Sequence, residues 1–168
     1  MHTDLNKMKF TLVYTLVVLI LTSVWTELLV GESFMYWDSG FGPIALPDIA
    51  SKNQISESSS SANLSINGDV EISADNSTAA QLSSAGDTLV TEYKLTFDGN
   101  GSGTTGGTGT NYETYDRFLT TAAPVTHVIG DDDVEVTLHV KASNYVSDPA
   151  DAGTYTAAQT LTVHWVGP

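Results

Sequence analysis

Six consecutive residues, Asp98-Gly-Asn-Gly-Ser-Gly103, copy the first half of a calcium-binding loop, with side-chain oxygens at Asp98, Asn100 and Ser102 and glycine at the sixth position. Calcium takes six to eight oxygens, and such a loop normally closes on a bidentate Glu at position twelve. Gly109 stands there instead, and Glu113 lies further along. The plainer reading, and the favoured one, is a Gly/Thr-rich connection between two strands. A second group, Asp131, Asp132 and Asp133, follows Gly130. Three adjacent carboxylates repel one another unless they are solvated, screened or bound to a cation. A solvated hairpin tip is the plainer reading here, and calcium is the other. His139 and His164 fall on the outward faces of two strand patterns. If those strands were neighbours the pair could hold zinc, although bare sheet surface explains them as well. No cofactor other than calcium at these acids is expected.

Nothing selects a catalytic residue. The chain has no Gly-x-Ser-x-Gly elbow, no His-Glu-x-x-His and no phosphate-binding loop. Glycoside hydrolysis needs two facing carboxylates, and no one pair stands out among the 20 acids. Cysteine is absent, which removes disulfides, thiolate metal sites and a cysteine nucleophile. The formal net charge of -14 argues against nucleic acid, whose affinity comes mostly from Lys and Arg on phosphates. The chain is read as not an enzyme.

The elements that would position these residues are strands. In 87–98, Leu89, Thr91, Tyr93, Leu95 and Phe97 alternate with Glu92, Lys94, Thr96 and Asp98. In 134–143, Val134, Val136, Leu138, Val140 and Ala142 alternate with Glu135, Thr137, His139, Lys141 and Ser143. The run 154–166 puts Tyr155, Ala157, Leu161, Val163 and Trp165 on one side. Period-two alternation predicts strands with one buried face. Residues 63–73 predict one strand or a tight hairpin at Asn67-Gly68, a favoured type I′ pair, and shorter strands are expected at 112–119 and 124–129. No segment past residue 31 has apolar residues at helical spacing with caps. The spacing of strands and turns predicts an all-β fold, an antiparallel β-sandwich of immunoglobulin-like or pilin-like type, over 62–168.

Two segments precede it. Residues 10–25 are uncharged and apolar, and Lys7 and Lys9 stand before them. That order predicts a secretory signal peptide, or an N-terminal hydrophobic helix kept as a membrane leader, over 1–31. Phe10-Thr11-Leu12-Val13 also resembles a type IV prepilin leader, but Lys9 replaces the family's Gly and Tyr14 its Glu. Beyond residue 31 the chain keeps 18 acids and 4 bases, so the charge is still -14. Residues 32–61 divide into an apolar part, 33–49, rich in aromatics, Gly and Pro, and a Ser-rich run, 51–61, expected to be a linker.

Gly153-Thr154-Tyr155 and Leu161-Thr162-Val163-His164-Trp165 resemble the closing strand of secreted bacterial pilin-like domains. The likeness is to spore coat protein U-type and chaperone–usher fimbrial subunits, without the cysteine pair common in those families. It implies a subunit of a surface fibre or coat. The expected function is therefore a secreted structural subunit of a cell-surface filament, assembling head-to-tail with itself by β-strand addition. The membrane is met only through the leader during export. Phe34, Tyr36, Trp37, Phe41, Ile44 and Leu46 are the expected subunit-interface anchors. The alternative is a monomeric extracellular module binding carbohydrate or another ligand through the loops 98–111 and 130–133, with 32–49 folded back on its own domain.

Overall fold

A computed structural model describes residues 32–51, 54–145 and 149–167. The expected leader, 1–31, lies outside the described residues.

Among the described residues ten strands run in chain order: β1 (Met35–Trp37), β2 (Ile55–Ile66), β3 (Asp69–Ala74), β4 (Ser83–Ser84), β5 (Asp87–Thr88), β6 (Val90–Phe97), β7 (Glu113–Thr114), β8 (Ala123–Val125), β9 (Asp133–Ser143) and β10 (Leu161–Gly167). Every pairing is antiparallel. One sheet has the order β1-β2-β9-β6-β7, a second β10-β3-β8, and β4 pairs with β5 alone. The single helical turn among the described residues is a 3₁₀ turn at Thr78–Ala80. The expected all-β, antiparallel character is what the chain adopts.

The organising strand is β9. Its inward row, Val134, Val136, Leu138, Val140 and Ala142, is buried throughout. On one side it pairs with β2 from Ile55↔Ser143 to Ser65↔Asp133. On the other it pairs with β6 from Val90↔Ser143 to Phe97↔Val136. Tyr93 and Leu95 extend the apolar row onto β6. Val70 and Ile72 of β3 and Ala123 and Val125 of β8 belong to the same buried cluster, so both sheets share one core. Phe118 closes it from a turn after β7, with its ring 5.5 Å from that of Tyr93. Alternation read from the sequence places β9 and the 90–97 part of the expected 87–98 strand on the right faces, because both have one side in this core; Asp87–Thr88 pair with β4 instead, and the Leu89 N–H donates to the Leu82 carbonyl.

Three expectations are corrected. The Ser-rich run is no linker: from Ile55 on it is the first part of β2, the longest strand. Asn67-Gly68 is not a type I′ hairpin, because neither residue has positive φ and the strands it joins lie in different sheets. It is a corner between sheets. Gly68 is there for close approach: a Cβ would fall 2.4 Å from the Trp165 ring and 2.6 Å from the Gly167 carbonyl oxygen. The closing strand is shorter than expected. Of 154–166 only Leu161 onward is laddered, because Thr156 exchanges main-chain bonds with Ser83 and the Ala158 N–H donates to the Ala79 carbonyl.

On the outward face of the first sheet, Lys94 and Lys141 both lie over the Tyr112 ring, at 4.9 and 4.5 Å from its centre. Lys141 also pairs with Glu92 at 2.8 Å. Beside them His139 shares a hydrogen bond with the Thr96 hydroxyl, and burial and the Lys94 charge hold its pKa down.

Two stability predictions follow from this core. Gly68→Ala forces the Trp165 ring or the Gly167 carbonyl to move, and should cost about 1–3 kcal/mol, read as a lowered urea midpoint. The Tyr93 hydroxyl donates to the Ala80 carbonyl at 2.5 Å, and burial, then the Asp75 charge, push its pKa up to about 12. The folded state thus holds this proton more tightly than the unfolded chain. Its contribution is complete below the ordinary value of 10.0 and is lost as pH rises through about 12. Tyr93→Phe should flatten that alkaline slope and cost about 1–3 kcal/mol at neutral pH, since it strands a buried acceptor.

Candidate functional site

Residues 38–49 leave β1 and run beside β2 as an irregular strap. The β1 register runs from Met35↔Ile66 to Trp37↔Leu64, and the Asp38 N–H donates to the Asn63 carbonyl at 3.0 Å. The ladder ends there. Further along, the Gly42 N–H donates to the Ser60 hydroxyl at 2.9 Å, and the Ser56 hydroxyl donates to the Pro47 carbonyl at 2.6 Å. Serine side chains of β2 thus satisfy the Gly42 N–H and the Pro47 carbonyl outside a ladder, in a segment where Pro43 and Pro47 have no N–H to donate to one. A turn held by Gln54 ends the strap: its side chain accepts from the Ala50 N–H and donates to the Asp48 carbonyl.

The strap has a seat because β2 is lined with small residues. The inward positions of β2 opposite Ala142, Val140, Leu138 and Val136 are Ser56, Ser58, Ser60 and Ala62. Ser56 and Ala62 are buried, and Ser58 and Ser60 are half-buried. Trp37, Phe41, Ile44 and Leu46, each half-buried, lie against the main core, and Leu46 and Ile49 reach a smaller cluster of Leu82, Leu89 and Ala142. The Trp37 and Phe41 rings meet edge-on at 5.3 Å. The strap supplies the bulk that the serine row lacks. Four of the six expected interface anchors therefore sit on the core of their own chain. Phe34 and Tyr36 are placed differently: their rings are 5.9 Å apart, and Tyr36 is exposed on the edge strand.

The residues weighed as calcium ligands have other partners. Asp98 accepts from the Glu135 N–H, and Asn100 accepts from the Ser102 and Gly103 N–H groups. Asp131 accepts from the Thr105 N–H at 2.6 Å, and the Thr105 hydroxyl donates to the Asp131 carbonyl. Thr105 also accepts from the Val128 N–H, so this buried residue ties the two acidic loops together. Asp132 meets the His127 ring at 2.8 Å. The Ser65 hydroxyl lies between Asp133 and Asp38, at 2.5 and 2.7 Å, fastening the start of the strap. Glycines in the first loop serve close backbone approach: a Cβ on Gly99 would fall 1.8 Å from the Thr105 carbonyl oxygen. The two loops do come together, as polar staples. Among the described residues no three of His, Cys, Asp and Glu gather. His139 and His164 lie in different sheets and form no pair.

Beyond the strap's far end lies an open cleft of about 520 Å³, whose lining includes Leu46, Ile49, Leu82, Leu89 and Tyr155. Sequence reasoning missed both this cleft and the serine row. The signal for the row was present in the alternation of Ile55, Glu57 and Asn63 with Ala62, Leu64 and Ile66, but four consecutive serines hide it. The geometry can hold an extended main chain and a series of apolar side chains.

Comparison with known protein-family models, with curated proteins and with solved structures returned no match.

If the serines hold the strap, Ser56→Ala with Ser60→Ala should loosen it alone. Hydrogen exchange over 33–49 should accelerate about five- to thirtyfold, matching two bonds worth about 0.5–1 kcal/mol each, while the global urea midpoint stays nearly unchanged.

Proposed function

We propose that the chain is a secreted structural subunit of a cell-surface filament, pilus-like fibre or coat, a pilin-like antiparallel β-sandwich that assembles through β-strand addition between copies. The observation that carries the reading is the edge of β2. Over 55–62 it is covered by an irregular apolar strap, joined through side chains instead of a ladder. Once the strap leaves, a long strand edge of that kind is open to pairing with another chain. The segment covering it contains most of the apolar anchors, the kind of extended segment that can be passed to a neighbour. A contact of this sort, repeated head-to-tail, does not close and yields a fibre. The apolar run 10–25 after Lys7 and Lys9 supports export, and the charge of -14 suits a soluble subunit made in quantity. The likeness of 153–165 to closing strands of fimbrial subunits points the same way. The reading assigns no catalytic residue.

The second reading, a monomeric extracellular module binding carbohydrate or another ligand, is favoured by the strap's docking on its own core and by the cleft beside it.

Light scattering and negative-stain images of the chain from Glu32 onward separate the two. Multimers and fibres are expected, and removal of 32–49 should abolish them. A stable monomer from Glu32, at concentrations well above those of a surface subunit, would hand the function to the binding module. Added calcium should leave the mass unchanged if Asp98, Asn100, Ser102 and Asp131–Asp133 act as loop staples.

A further inference from the structure

We infer that the cleft beyond the strap's far end binds a small organic cation, its apolar body on the cleft floor and its ammonium head at Asp48 and Asp151. The inference rests on the second reading, that of a ligand-binding module, and names the class of its ligand. At about 520 Å³ the cleft has the size of a small-molecule site, commonly about 300–1,000 Å³. Its apolar lining comes from Leu46, Ile49, Leu82, Leu89 and Ala142, which pack as one small cluster.

The carboxylates select the charge of the ligand. Eleven aspartates are described, and nine of them are hydrogen-bonded to the chain through the carboxylate. The two that are not, Asp48 and Asp151, both line this cleft. Their main chains are nonetheless fastened. The Asp48 carbonyl accepts from the Gln54 side chain at 2.9 Å. The Asp151 N–H donates to Asp87 at 3.1 Å, and its carbonyl accepts from the Tyr155 hydroxyl at 2.7 Å. Two carboxylates are thus held at the cleft while no donor among the described residues answers them. Tyr155 lines the same cleft, and an ammonium over an aromatic face gains further attraction. The local field is negative: burial, then the Asp87 and Asp151 charges, raise the Tyr155 pKa. None of the described lining residues is basic. Lys52 and Asp148, next in sequence to the lining residues Ser51 and Pro149, are of opposite sign and leave that balance unchanged. An anion would be repelled here, and a neutral ligand would leave both charges uncompensated.

Three probes with the same six-carbon body and different heads, hexylamine, hexanol and hexanoate, test the inference at neutral pH. The protein is the chain from Glu32, which contains both buried clusters, and binding is followed by its amide NMR signals. Hexylamine should move the signals of Leu82, Leu89, Ala142 and Tyr155, with a Kd about three- to tenfold below that of hexanol, the gain of two partly exposed ion pairs. Hexanoate should bind least, and added salt should narrow the gap. Asp48→Asn combined with Asp151→Asn removes no side-chain hydrogen bond to the described chain, so the fold should persist while hexylamine falls to the level of hexanol. Equal binding of amine and alcohol would overturn the cation site and leave the module reading standing. So would an amine preference that survives the double variant, amine shifts confined to residues outside the cleft, or cellohexaose moving the lining signals when hexylamine does not. If neither the three probes nor cellohexaose moves any signal of the protein, the cation site and the module reading fall together.

Discussion

The inward face of β2 is smaller than the face it opposes, and the N-terminal part of the fold depends on that mismatch. Across from Leu138 and Val140 it offers Ser60 and Ser58, and the volume they leave must be filled, because interiors are close-packed and a void forfeits dispersion contacts. The material comes from a strap outside the ladder, with two prolines that keep it from becoming a strand and aromatic and aliphatic side chains that enter from the open edge. At the corner end of β2 the relation reverses. There Leu64 and Ile66 fill their own side of the core, and the chain can afford a short regular strand, β1, beside them.

The corner between the sheets shows a second constraint of the same kind. The chain must pass from β2 in one sheet to β3 in the other in two residues, while the Trp165 ring and the Gly167 carbonyl occupy the space above. A glycine answers that crowding, where the dipeptide alone suggests a hairpin. The start of β1 is attached at this corner too, with the Phe34 N–H donating to the Asn67 side chain at 2.8 Å. The described ends of both sheets are thus gathered at one point, and a side chain added there disturbs both.

What could be read from the sequence was whatever has one face in the core and alternates cleanly. β9 and residues 90–97 of β6 do, and their faces follow from apolar periodicity, although the same alternation carried the expected strand on through 87–89, where the chain turns to pair with β4. The Ser-rich half of β2 does not announce itself, since serine contributes neither hydrophobic contrast nor strand preference. Its strand state is imposed by the β9 ladder and by the strap, both remote in sequence. The acidic loops were legible as loops but not in their bonding. The partner of Asp131 is Thr105, 26 residues earlier, and Asp98 bonds 37 residues ahead. A calcium-like string of oxygens and a set of loop staples use the same residue types, and only the fold tells where each oxygen points. The strap fell between: its apolar character was plain, and its destination was set by small residues whose role the sequence conceals.

The two lysines over Tyr112 have a consequence for resistance to proteolysis. A trypsin-type protease needs a basic residue in an extended, releasable stretch of backbone. Lys94 and Lys141 lie inside the longest ladders, with their amines drawn over one ring and Glu92 pairing with the second. Cleavage at either requires unfolding of the central sheet. Among the described residues that leaves Arg117, exposed in the turn after β7, as the basic side chain on offer. Among the described residues, two of the three basic side chains are thus set in the middle of strands and give such enzymes little to hold.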